Sequence, residues 1–207
     1  MSADYREGDV PASPPEQTKA PEPASKGLSN DGISAMQGYD NSAEAEPQPL
    51  RFGELEPNQT YERNGHQFTT DDQGRIVAAQ GRLQLKEGER TKHQTEVGKK
   101  GVEGDEGGHL IGTRFAGTPE GPNLVPQNAN LNRGEWKSME NEWATCLAEG
   151  KQVEVGIQPV YEGNDPRPTA FSVIYEVTDE DGSEITERYF KNAPHGLAST
   201  ESKRFDS

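Results

Sequence analysis

One stretch of this 207-residue chain has sustained helical periodicity, GEWKSMENEWATCLAE at 134–149, and β-type patterning stands on both sides of it. Upstream, QTYERNGHQFTTDDQGRIVAAQGRLQL predicts three strands. The Asn64-Gly65 pair is a two-residue hairpin signal between Tyr61 and Phe68, and DDQG makes a second turn. Downstream, KQVEVGIQPVYEG alternates, with Val153, Val155 and Ile157 on one face. TAFSVIYEVTDEDGSEITERYF then reads as a hairpin around DEDG, with Phe171, Val173, Tyr175 and Val177 alternating. HLIGTRF suits a further short strand, and the polar, Gly-rich residues 86–108 read as loop. The order strands, helix, strands predicts an α+β fold with a largely antiparallel sheet. No internal repeat is visible.

Apolar residues are too few to pack the chain from end to end: the hydrophobic share is 29%. The deficit is concentrated at the start, where PASPPEQTKAPEPASKG cannot bury enough surface to offset its ordering entropy. Residues 1–50 are therefore expected to be a disordered leader or linker, 51–195 the folded domain, and 196–207 a flexible tail. No stretch is apolar enough to span a bilayer, so no membrane anchor is expected, and the first residues lack the pattern of a Sec signal. The single cysteine, Cys146, excludes an intramolecular disulfide and a cysteine-rich zinc site, and reads as core packing. A net charge of −15 argues against a broad electrostatic grip on nucleic acid. Residues 51–100 alone carry a basic excess, nine basic against eight acidic side chains.

The helix has an anomaly. With Trp136 at zero and steps of about 100°, Met139, Trp143, Ala144, Cys146 and Leu147 share an apolar arc, and Glu140 falls inside it at roughly 40°. A buried carboxylate is costly without compensation. Either it pairs with an arginine such as Arg114 or snorkels out, or it faces a metal ion or the waters around one. Asn132, extrapolated backward, reaches the same arc. With Glu135 three residues on it also makes a capping-box pattern, while Gly150 closes the helix. Cap and ligand are competing roles for one amide oxygen. A second notable stretch is GDEGGHLIGTRF at 104–115, where glycines bare one side of His109 and Leu110 and Ile111 anchor the other.

DEGGHLIGTRF followed by NLVPQNANLNRGEWKSMENEW resembles the DNA/RNA non-specific endonucleases, and more closely the bacterial toxin-associated branch of that ββα-metal (His-Me finger) group. The ordered elements are Gly-His, then Asn-Leu-x-Pro-Gln, then Leu-Asn-x-Gly-x-Trp-x-x-x-Glu, and TTDDQGRIV upstream fits the same branch; the likeness runs over roughly 58–192. It implies an antiparallel sheet with one main helix carrying a metal site. It implies His109 as general base, Asn132 as the single protein ligand of Mg²⁺ (Mn²⁺ substituting), and Glu140 as the carboxylate that holds the metal's water. The family's Asp-Arg-Gly-His motif has arginine where this chain has Gly107. Arg114, Arg82, Arg90 and Arg133 are the candidates to contact phosphate instead.

The resemblance thus implies metal-dependent hydrolysis of phosphodiester bonds in DNA and/or RNA with little sequence specificity. It also implies a toxin effector sent into a target cell by a specialised secretion system, otherwise cytoplasmic, and a cognate immunity protein. The alternative is a catalytically degenerate relative that binds a protein partner. Among the remaining histidines, His66 reads as a strand residue, and Trp136 and Trp143 read as core.

Overall fold

The computed structural model describes residues 49–86 and 93–207, with His93 described by its backbone alone. A seven-stranded antiparallel sheet forms the body. Its order is β1 (Thr60–Arg63), β2 (His66–Thr70), β3 (Ile76–Arg82), β6 (Gln152–Val160), β7 (Ala170–Asp179), β8 (Gly182–Lys191) and β9 (Leu197–Asp206). Between β3 and β6 the chain leaves this sheet. It makes a short helix α1 (His93–Gly98) and an antiparallel pair, β4 (Asp105–His109) with β5 (Leu124–Asn128). It then makes a helical turn α2 (Ala129–Leu131), a wide π-type turn at Asn132–Trp136, and the main helix α3 (Lys137–Ala148).

The expected hairpins form. Asn64 and Gly65 both take positive φ, 54° and 81°, as a type I′ turn requires, and Tyr61 faces Phe68 across it. β6 buries Val153, Val155 and Ile157 on one face, and β7 buries Phe171, Val173 and Tyr175. Against this face lie Trp136, Met139 and Trp143 of the helix. Trp136 meets Phe171 edge-on at 5.2 Å between ring centres, and Trp143 meets Tyr175 at 5.5 Å. Cys146 is partly buried against the same core. α3 ends in a Schellman arrangement: Gly150 takes φ +84°, its N–H donates to Leu147 O at 3.1 Å, and Lys151 N–H donates to Cys146 O at 3.0 Å.

Four sequence expectations are corrected. The helical path begins earlier than the capping-box pattern suggests. Asn128 is the cap, its side-chain oxygen accepting from Asn130 N–H at 3.1 Å, whereas Asn132 lies within the helical path. HLIGTRF is not a strand. The strand is DEGGH, and beyond it Leu110 and Ile111 enter the core while Thr113–Phe115 form a 3₁₀ turn. The loop expected over 86–108 contains α1 and most of β4. Residues 196–207 are no tail: Leu197–Asp206 pair in register with β8 as an edge strand whose side chains are all exposed. Of the expected linker, residues 1–48 lie outside the described residues, while Leu50 packs on the core and accepts from Gly121 N–H at 2.8 Å.

Two buried polar groups fix the β4–β5 pair to the large sheet. Asp105, whose side chain is fully enclosed, takes Arg167 in two bonds of 2.6 and 2.9 Å. Asn192, just beyond β8, donates to Pro126 O and Pro168 O and accepts from Asn128 N–H, so it ties β5 and the helix cap together. Because β9 is held by backbone ladder bonds, its amides are expected to exchange with deuterium well behind those of an unstructured control peptide of the same sequence. Exchange at the control rate throughout 198–205 would restore the tail reading.

Candidate active site

β4 ends at His109, and the helical path from Asn132 to Glu140 runs past that end. Gln94, His109, Gly112, Thr113, Arg114, Asn132 and Glu140 line one small cavity of about 190 Å³. Gln94, Arg114, Asn132 and Glu140 also line a larger open cleft of about 880 Å³, where Lys99, Arg133 and Lys137 stand with Glu103, Asp105 and Glu106. The three residues singled out from sequence for catalysis and metal binding, His109, Asn132 and Glu140, therefore share one cavity.

Each is held differently. The His109 imidazole has Nε2 buried without a hydrogen-bond partner among the described residues, and Nδ1 lies 3.1 Å from the Gln94 amide nitrogen. Burial disfavours the imidazolium and pulls the pKa from 6.5 down to about 4, so the ring is neutral at physiological pH. Asn132 is free of capping duty. Its Nδ2 donates to Glu106 Oε1 at 2.6 Å, which leaves Oδ1 without a hydrogen bond from the described residues. Glu106 is fixed from the other side by Arg133, whose Nε donates to Oε2 at 3.0 Å.

Among the described residues Glu140 does not pair with an arginine. Arg114 Nη1 donates to Asn141 Oδ1 at 2.8 Å and its guanidinium lies over the Phe115 ring, 5.1 Å from the centre. Desolvation pushes the Glu140 carboxyl up from 4.5 to about 7, opposed by the more distant charges of Arg114 and Lys137 and by the Gly112 N–H. Gly112 also leaves room: a Cβ there would stand 2.5 Å from Glu140 Oε1.

The arginine candidates separate. Arg114 lines both cavities, and Arg133 lines the cleft but is committed to Glu106. Arg82 pairs with Glu154 across β3–β6 at 2.7 Å and lines neither, so its expected place at the site is corrected. Arg90 lies outside the described residues. Sequence reasoning missed Gln94, Glu106 and Lys137; Lys137 was legible as a cation one turn before Glu140, whereas the other two reach the site only through tertiary contact.

Among the described residues no three His, Cys, Asp or Glu side chains cluster as a metal site. An amide oxygen with no donor among the described residues, in one cavity with a carboxylate that is only partly compensated, has the chemistry to suit a hydrated hard cation. Glu140→Gln tests this electrostatic picture directly. A raised carboxyl pKa favours the fold below pH 4.5 and loses that advantage as pH rises through about 7. In EDTA the variant is therefore expected to melt with wild type near pH ~4, and to be more stable by about 1 kcal/mol above pH ~8. A variant markedly less stable at pH ~8 would mean that Glu140 compensates a buried cation.

Residues 57–179 match the family model for DNA/RNA non-specific endonuclease. Over 141 residues the chain is 38% identical to the type VII secretion system protein EssD of Staphylococcus aureus strain USA300, which covers 63% of this chain and 23% of that protein. The same identity and coverage are found with EssD of strain NCTC 8325 / PS 47. The chain thus corresponds to less than a quarter of these relatives. With the family model matching more than half of its residues, the chain belongs to the DNA/RNA non-specific endonuclease family.

Proposed function

We propose that this domain is a Mg²⁺-dependent endonuclease, with Mn²⁺ able to replace Mg²⁺, that hydrolyses phosphodiester bonds of DNA and/or RNA with little sequence specificity. The observation that carries the reading is the shared cavity of His109, Asn132 and Glu140 beside an open cleft lined by both basic and acidic side chains.

His109 acts as general base. A neutral imidazole can take the proton of a water attacking phosphorus, and burial keeps it neutral. Asn132 offers its Oδ1 to the cation, oriented by the bond from its Nδ2 to Glu106. Glu140 orients the ion's waters with its charge. Mg²⁺ held at Asn132 would supply positive charge to stabilise the charge that develops on phosphate. Among the described residues Arg114 is the arginine that lines the small cavity, where it would face the charge that develops on phosphate. Arg133, Lys99 and Lys137 lie in the cleft where backbone phosphates would run, and such contacts hold the strand without reading bases.

The similarity to a type VII secretion system protein supports a toxin effector delivered from a bacterium by a specialised secretion route, with a cognate immunity protein as its partner. No helix among the described residues is long and apolar enough to cross a membrane.

Incubation with supercoiled plasmid and with total RNA, in Mg²⁺ and in EDTA, tests the proposal. Wild type is expected to degrade at least one substrate in Mg²⁺ and neither in EDTA. His109→Ala is expected to fold normally and to cut at least about 100-fold more slowly. Wild type that cuts neither substrate with Mg²⁺ or Mn²⁺ would favour a protein-binding relative, and a His109→Ala variant at the wild-type rate would remove His109 from the reaction.

A further inference from the structure

Helix α1 seats against β4 through bare backbone. A Cβ at Gly107 would stand 2.2 Å from Gln94 O, and a Cβ at Gly98 would stand 2.7 Å from the Cα of Glu106. Each element thus presents a glycine to the other, and no larger residue fits at either position unless α1 moves. A side chain at 107, where the Asp-Arg-Gly-His motif has arginine, would run into the α1 backbone. The same contact delivers the Gln94 side chain to Nδ1 of His109, where it makes the one hydrogen bond to the ring among the described residues.

The direction of that bond has a chemical consequence. An amide nitrogen donates and cannot accept, so Nδ1 must be the acceptor. A neutral ring then carries its proton on Nε2, and its lone pair sits on Nδ1. Nε2 is buried, so a base working there would have no access to water. We propose that Gln94 is the positioning residue that sets the His109 tautomer, keeping the lone pair on Nδ1, the nitrogen that serves as base. When substrate binds, the attacking water takes over the Nδ1 lone pair from the Gln94 amide and gives its proton to Nδ1. Nε2 keeps its own proton, and the ring becomes imidazolium. This role rests on the nuclease reading above, whereas the tautomer itself does not.

Long-range ¹H–¹⁵N correlation spectra of ¹⁵N-labelled, metal-free protein at neutral pH report which ring nitrogen carries hydrogen. Wild type is expected to show the Nε2–H form. Gln94→Glu, nearly the same in shape, offers only an acceptor and should invert the ring to Nδ1–H. Gln94→Met removes the bond and should give a mixture of the two forms. Cleavage should follow: kcat is expected to fall about 100-fold in Gln94→Glu and about tenfold in Gln94→Met, with KM changed less than about threefold and melting temperatures near wild type. An Nδ1–H form in wild type, an unchanged tautomer in both variants, or wild-type kcat in Gln94→Glu would each overturn the assignment. A wild-type protein that cuts nothing would defeat the nuclease reading, while the spectra would still decide what Gln94 does to His109.

Discussion

Glu140 is a carboxylate on the helical face that also carries Trp136, Met139 and Trp143, and among the described residues no counter-charge touches it. Burying such a group unpaired costs several kcal/mol in its ionised form. The arrangement around it reads as partial compensation: one backbone N–H from Gly112, and Arg114 and Lys137 acting from a distance. A direct ion pair with Arg114 would have satisfied the fold, yet Arg114 is bound to Asn141. The fold therefore leaves a carboxyl of raised pKa in a cavity that His109 and Asn132 also line.

The β4–β5 pair makes no ladder with the seven-stranded sheet, so its position depends on the enclosed Asp105–Arg167 pair and on the three bonds of the Asn192 side chain. Breaking a buried pair of this kind leaves an uncompensated charge and is strongly destabilising. Asn192 also holds the N–H of Asn128, the residue that caps the helical path, and Asn132 lies one turn further on. The wide turn at Asn132–Trp136, with Gly134 at φ −100° and ψ −106°, lets the chain carry Asn132 and Glu140 into one cavity although eight residues of regular helix would span about 12 Å.

Much of this was legible in the chain. The Asn64-Gly65 turn, the alternation of β6 and β7 and the Gly150 stop are local patterns, and local patterns survive folding. The misplaced Glu140 was visible because a helical wheel needs only the sequence. What failed was tertiary. Asn128 and Asn132 carry the same capping chemistry, and only the hydrogen bond to Asn130 tells them apart. β9 is exposed on both faces, so it has no two-residue apolar period to announce it, and its pairing is made by backbone that every residue shares. Arg82 stood in the basic stretch of sequence yet points its charge at Glu154. Gln94 and Glu106 reach their partners across 15 and 26 residues, contacts that no local rule anticipates.

Burial pushes the Glu140 carboxyl up to about 7, so a divalent cation bound beside it would displace a proton. Metal binding and proton release must then be linked. Isothermal titration of Mg²⁺ into the protein, in two buffers of different ionisation enthalpy, counts the protons displaced per ion bound. With the carboxyl pushed up to about 7, close to one proton should be released near pH ~6 and almost none near pH ~8.5, and Glu140→Gln should release none at either. Binding that releases no proton at pH ~6 in wild type, or the same number in Glu140→Gln, would contradict the account.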